Sequence, residues 1–162
     1  MVNRSWLGLA AVLVLSAAGC GSNSGGAYRA AAERQAKQFT CPAASAVSAA
    51  LGKTVPAAHR GTVASSSLIC SYVDVKAGGA NVFVSVTFGV HRDELQRIVK
   101  ATAEGRRFEP LAGVGDAAFQ VPADAKNGPM VFVHSGNRAV SVVEDQDTGT
   151  QASTIAVARL FL

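Results

Sequence analysis

The chain has 162 residues, 49% of them apolar and 16% charged, which is enough for one domain with a real core and too short for two large ones. Its 15 basic and 11 acidic residues give a net charge of +4, spread along the sequence with Arg106-Arg107 as the one adjacent basic pair, so no basic stripe for nucleic acid is present. Aromatic residues make up only 6%, which leaves the core to Ala, Val and other small or β-branched side chains.

Residues 1–5 carry Arg4 and no acid, residues 6–18 are apolar apart from Ser16, and Ala17-Ala18-Gly19 supplies the small residues of a peptidase site. A membrane span needs ~20 apolar residues to cross a hydrocarbon core of ~30 Å, and this run stops short of that. Residues 1–19 are therefore read as a cleaved export leader. Cys20, directly after it, resembles the lipobox cysteine of bacterial lipoproteins, whose thiol receives a diacylglyceryl group before the leader is cut. Where that family usually has Leu three residues before the cysteine, this chain has Ala17. The alternative is an ordinary signal peptide that leaves a cysteine at the start of the mature chain. Two acyl chains would anchor the protein stably, since each buried methylene contributes ~0.8 kcal/mol and one chain alone binds only reversibly.

Removing the 19-residue leader from 162 residues leaves 143. If Cys20 is acylated, Cys41 and Cys70 form an even pair for an oxidising compartment, and a structural disulfide is expected between them. The two stand 29 positions apart with no histidine pair nearby, a spacing that suits neither zinc nor a Cys-x-x-Cys redox site. Closing such a loop is worth ~3–4 kcal/mol in the chain-entropy model.

Residues 20–27, with Gly21-Ser22-Asn23-Ser24-Gly25-Gly26, read as a flexible tether. Residues 28–39 follow helical spacing, with Tyr28, Ala31, Ala32, Gln35, Ala36 and Phe39 on one stripe that is weak in its middle, and are expected to be a stalk or a short docking helix. Residues 40–162 are expected to form a single domain. Within it, Thr40-Cys41-Pro42 opens a helix, Thr40 or Cys41 serving as cap, with Ala44, Val47, Ala50 and Leu51 turned inward and Gly52 as its stop. Residues 55–67 are Ser-rich and carry no clear period. Residues 68–75 and 82–90 read as strands joined by a hairpin loop at 76–81, and residues 92–104 as an amphipathic helix carrying Leu95, Ile98, Val99 and Thr102. Three more strands are expected at 117–121, 130–134 and 138–143, the last two joined by Ser135-Gly136-Asn137. Thr148 or Thr150 caps a closing helix with Ile155, Ala158 and Leu162 inward. The order α-β-β-α-β-β-β-α predicts an α+β fold: an antiparallel sheet of about five strands with helices packed on one face.

Candidate chemistry is sparse. Gly113-Val114-Gly115-Asp116-Ala117-Ala118 has the letters of a dinucleotide fingerprint but precedes a strand instead of following one, so a tight turn is the better reading. His59, His91 and His134 share no metal-ligand spacing, and no serine sits in Gly-x-Ser-x-Gly or Ser-x-x-Lys. Asp93-Glu94 suits a helix N-terminus, and Glu144-Asp145-Gln146-Asp147 lacks the glycine and bidentate Glu of a calcium loop. Lys100, Arg106 and Arg107 have the charge to meet anionic lipid or glycan, but a charged helix end needs no ligand.

The lipobox at Cys20, Cys41-Pro42 opening a helix that ends Leu51-Gly52, Cys70-Ser71-Tyr72 and the Gly113-Val114-Gly115-Asp116-Ala117 turn together resemble small actinobacterial lipoproteins of unknown function. The resemblance implies a disulfide-tied α+β domain on the extracytoplasmic face of the cell membrane and no assigned activity. The expected function is non-enzymatic: anchoring to membrane lipid through Cys20 and binding of a protein partner or a small or lipidic ligand in the envelope, with no nucleic acid, cofactor or metal. The alternative is an envelope hydrolase whose serine and histidine meet only in the fold.

Overall fold

Alternating valines in residues 82–86 and 140–142 specify strands with one apolar face, and the seven-stranded sheet is assembled around them. A computed structural model describes residues 24–74, 80–103, 105–145, 147 and 149–162. The leader, Cys20, the first part of the tether and most of the loop 76–81 lie outside the described residues.

The elements are α1 (Ser24–Gln38), α2 (Ala44–Leu51), β1 (His59–Ala64), β2 (Ser67–Val73), β3 (Asn81–Phe88), a 3-10 turn (Arg92–Glu94) leading into α3 (Leu95–Thr102), β4 (Glu109–Pro110), β5 (Ala117–Val121), β6 (Met130–Ser135), β7 (Arg138–Glu144) and α4 (Gln151–Arg159). The sheet order is β1-β2-β3-β7-β6-β5-β4, antiparallel throughout. Two meanders, β1 to β3 and β4 to β7, thus meet at β3 and β7, where Ser85 faces Ser141 at the middle of the paired register.

The fold is α+β and antiparallel, as expected, but two details are corrected. The sheet has seven strands where about five were expected, and from α2 onward the order is α-β-β-β-α-β-β-β-β-α in place of α-β-β-α-β-β-β-α, because β1 and β4 are edge strands without an apolar alternation to announce them. The helices also lie on both faces, not one. Val82, Val84 and Val86 share the first face with Leu68, Cys70, Tyr72, Val131, Val133, Val140 and Val142, and α1, α2 and α4 cover it. Phe132 and Ala139 point to the second face, where Leu95, Val99 and Ala103 of α3 and its C-terminal turn bury them together with Val121.

Helix α1 begins at Ser24, so the last residues of the expected tether are helical. Ala32 and Ala36 are buried in the first-face core, and α1 crosses the end of β3 so closely that a Cβ on Gly89, whose φ is +77°, would lie 3.1 Å from Ala32 Cβ. Helix α2 ends at Gly52 in the left-handed conformation, as expected, but its N-cap is Ala43 and not Thr40 or Cys41. Thr150 caps α4 by accepting from the Ser153 N–H. Thr154, Val157, Ala158 and then Phe161 form its inner stripe, displacing the expected Ile155 and Leu162 to half-buried positions.

Cys41 and Cys70 form a disulfide, with S–S 2.00 Å and Cα atoms 5.7 Å apart. Two residues along the same face of β2, the buried Tyr72 hydroxyl donates to the Pro42 carbonyl at 2.6 Å. The segment entering α2 is therefore fastened to β2 twice, once covalently and once by a hydrogen bond.

Candidate functional site

The first face is left uncovered at the end of the sheet where β6 turns into β7. There Gln35 and Gln38 of α1, Phe39 after it, Phe88 at the end of β3, and the turn Ser135, Gly136, Asn137 and Arg138 surround an open cleft of about 430 Å³. Its position follows from the chain. Gly136, with φ +63°, allows the tight turn expected from Ser135-Gly136-Asn137, and the register Phe88↔Arg138 sets the arginine beside the phenylalanine on one face. Phe39 meets Phe88 edge to face with ring centres 5.8 Å apart and stacks on Phe161 at 6.1 Å, giving the cleft an aromatic floor. Asn137 Nδ2 donates to Gln35 Oε1 at 2.7 Å, and the Asn137 carbonyl accepts from the Gly89 and Val90 N–H groups at 2.7 and 3.1 Å. The turn is thus locked to both α1 and the exit of β3.

The sequence places Gln35 and Phe39 on the α1 stripe and Ser135-Gly136-Asn137 in a turn, but carries one signal that they belong to a common site. Gln35 is a polar residue in the middle of the apolar stripe of α1, and the structure shows that its side chain serves the Asn137 contact and the cleft.

The three histidines have different partners. His134 is buried on β6, its Nε2–H donating to the Val90 carbonyl at 3.0 Å, with Nδ1 3.6 Å from Asp116 Oδ2. That Asp116 oxygen also accepts from the Gly136 N–H at 2.7 Å. His91 stacks on Tyr28 with ring centres 5.4 Å apart, and His59 is exposed at the start of β1. Among the described residues no imidazole is hydrogen-bonded to a serine hydroxyl, and no histidine lines the cleft.

Gly113-Val114-Gly115-Asp116 is a turn running directly into β5, with φ of +77° at Gly113 and +59° at Gly115. A Cβ at Gly115 would collide with the His134 carbonyl, so the turn is pressed against β6 at that point.

The acidic run after β7 is divided among different partners. Glu144 is buried and accepts from Ser153 Oγ at 2.8 Å, and Asp145 accepts from Asn81 Nδ2 at 3.1 Å, while Gln146 lies outside the described residues. Burial pushes the Glu144 carboxyl above its usual range despite hydrogen bonds from Ser153 and Thr154. Arg106 is no free cation: it donates to the Pro122 carbonyl and to the Gly128 carbonyl at 3.0 Å, and its Nε lies 3.1 Å from Asp124 Oδ2. Backbone and side-chain donors from Lys126 and Asn127 hold Asp124 below the usual carboxylate range. Arg107 pairs with Glu109 at 3.0 Å, and Lys100 is exposed.

Part of the second face also lacks a helix. Phe83 is 45% exposed, in one row with half-buried Val143 and Met130, and Val73 is 38% exposed. No helix among the described residues is long and apolar enough to cross a membrane, and no cluster of His, Cys, Asp or Glu among them has the makings of a metal site. No protein-family model matches the chain, and no curated protein or solved structure shows significant similarity to it.

Proposed function

We propose that the protein is an extracytoplasmic lipoprotein, held to the cell membrane by acylated Cys20 and acting without catalysis as a binding module of the envelope. The observation that carries this reading is the disposition of the cysteines. The Cys41–Cys70 disulfide accounts for two of the three, leaving Cys20 single at the end of an export leader. The binding site is the cleft between α1 and the β6–β7 turn, which combines an aromatic floor with amide and guanidinium groups at its rim.

The start of α1 gives the anchor a geometric consequence. Four steps of chain separate Cys20 from Ser24, reaching at most ~14 Å when extended, so an acylated protein would ride close to the bilayer and not on a long leash.

The test is Cys20→Ser, read by membrane fractionation and intact mass. The unaltered protein should partition with membranes and carry a diacylglyceryl mass on an N-terminal Cys20. It should also lack indole absorbance, because Trp6 in the leader is the single tryptophan of the chain. The serine variant should lose the lipid mass and remain unprocessed or leave the membrane. Equal partition and normal processing of both would sink the lipoprotein reading.

A further inference from the structure

Resting on the cleft as the binding site, we infer that its ligand is a small N-acyl amino acid or a peptide chain end: carboxylate on Arg138, amide between Gln35 and Asn137, apolar body on Phe39 and Phe88. Three observations converge on that chemistry.

The first is charge. Arg138 lines the cleft, no acidic residue does, and no carboxylate among the described residues pairs with its guanidinium. A guanidinium beside an aromatic ring and lacking a counter-ion is suited to a bidentate carboxylate. The second is the unused half of the Gln35–Asn137 pair. Asn137 Nδ2 is spent on Gln35 Oε1, while among the described residues Gln35 Nε2 donates no hydrogen bond and Asn137 Oδ1 accepts none. One donor and one acceptor on two hydrogen-bonded side chains match in type the C=O and N–H of a single amide. The third is size. An open cleft of about 430 Å³ falls within the range of small-ligand sites, enough for the recognised end of an N-acyl amino acid.

The orientation follows from these two groups: Gln35 Nε2 would donate to the ligand's carbonyl and Asn137 Oδ1 accept from its N–H, which sets the carboxylate beside Asn137, on Arg138.

The experiment titrates the nitrogen-15-labelled, acylated mature protein in detergent micelles with three probes: N-acetylphenylalanine, its C-terminal amide, and hexanoate. The readout is the side-chain NH₂ signals of Gln35 and Asn137 and the backbone signal of Gly136. N-acetylphenylalanine should bind with a Kd of about 1 mM, in line with a ligand of its size, and the two other probes should bind at least tenfold more weakly. Arg138→Gln should abolish the preference for acid over amide, and Arg138→Lys should retain part of it, with the remaining spectrum unchanged in both. Acid and amide binding equally would overturn the carboxylate while leaving the cleft as a site. Hexanoate binding as well as N-acetylphenylalanine would overturn the amide contact. No movement of these signals with any probe up to about 10 mM would remove the cleft itself, independently of where Cys20 places the protein.

Discussion

Tyr72 shows how one side chain reports on the seal of the core. Its ring is fully buried, its hydroxyl donates to the Pro42 carbonyl, and burial pushes the phenol pKa up to about 12. The fold therefore favours the neutral phenol over the ionised one, relative to an unfolded tyrosine near 10. The resulting stabilisation is complete below pH ~10 and is lost as pH rises towards 12, at about 1.4 kcal/mol per unit. Tyr72→Phe removes the titrating group and leaves the Pro42 carbonyl without its donor, at a cost of about 1–3 kcal/mol at neutral pH. In rapid urea unfolding at several pH values, the advantage of the native protein over Tyr72→Phe should hold steady to pH ~10 and shrink above it. An advantage unchanged to pH 12 would mean the phenol is open to solvent.

At the scale of elements, what could be read from sequence tracks how much of each element is buried on one side. Strand β5 was legible to the residue at 117–121, and β3 from its alternating valines, because a buried face writes a period of two into the chain. Strand β1 could not be seen, since His59–Ala64 is an edge with little buried surface, and β4 consists of Glu109–Pro110, a proline tolerated only because an edge strand needs no second ladder. The strongly amphipathic α3 was legible as a helix, yet nothing in its sequence says which face of the sheet it covers. On the second face α3 meets Phe132, which stands between Val131 and Val133 of the first face and is buried with Leu95 and Val99. The cleft was largely hidden because Gln35, Phe39 and Arg138 are about 100 positions apart at their extremes and meet only through the sheet register. The disulfide was legible by parity, and its energetic role belongs to the loop it closes. Removing it with the paired Cys41→Ala, Cys70→Ala change should cost about 3–4 kcal/mol by loop entropy. Calorimetry should show a fall of roughly 10–20 °C in Tm. A fall below about 3 °C would mean that the segment entering α2 is ordered without its covalent tie, with Tyr72 sufficing.

For the whole molecule, the two cores are not two domains. The strands β6 and β7 contribute Val131, Val133, Val140 and Val142 to the first face and Phe132 and Ala139 to the second, so neither layer can dissolve without disturbing the strands that line the other. Unfolding should consequently be one cooperative transition. Leu68 lies in the first core and Leu95 in the second, each essentially without solvent exposure, and each cut to Ala should cost 2–5 kcal/mol. Being on opposite sides of the sheet, the two changes share no side-chain partner, so their costs should add to within about 0.5 kcal/mol. The sum approaches the 5–15 kcal/mol by which a domain of this size is stable, so the double variant should sit at the margin of folding while each single variant remains folded. Denaturant unfolding followed by backbone circular dichroism and by near-ultraviolet tyrosine signals decides the point. The two probes should give coincident curves for both single variants. A second transition in Leu95→Ala alone would show that α3 and the second core come away from a sheet still held by the first, and that the two layers are joined more loosely than their shared strands imply.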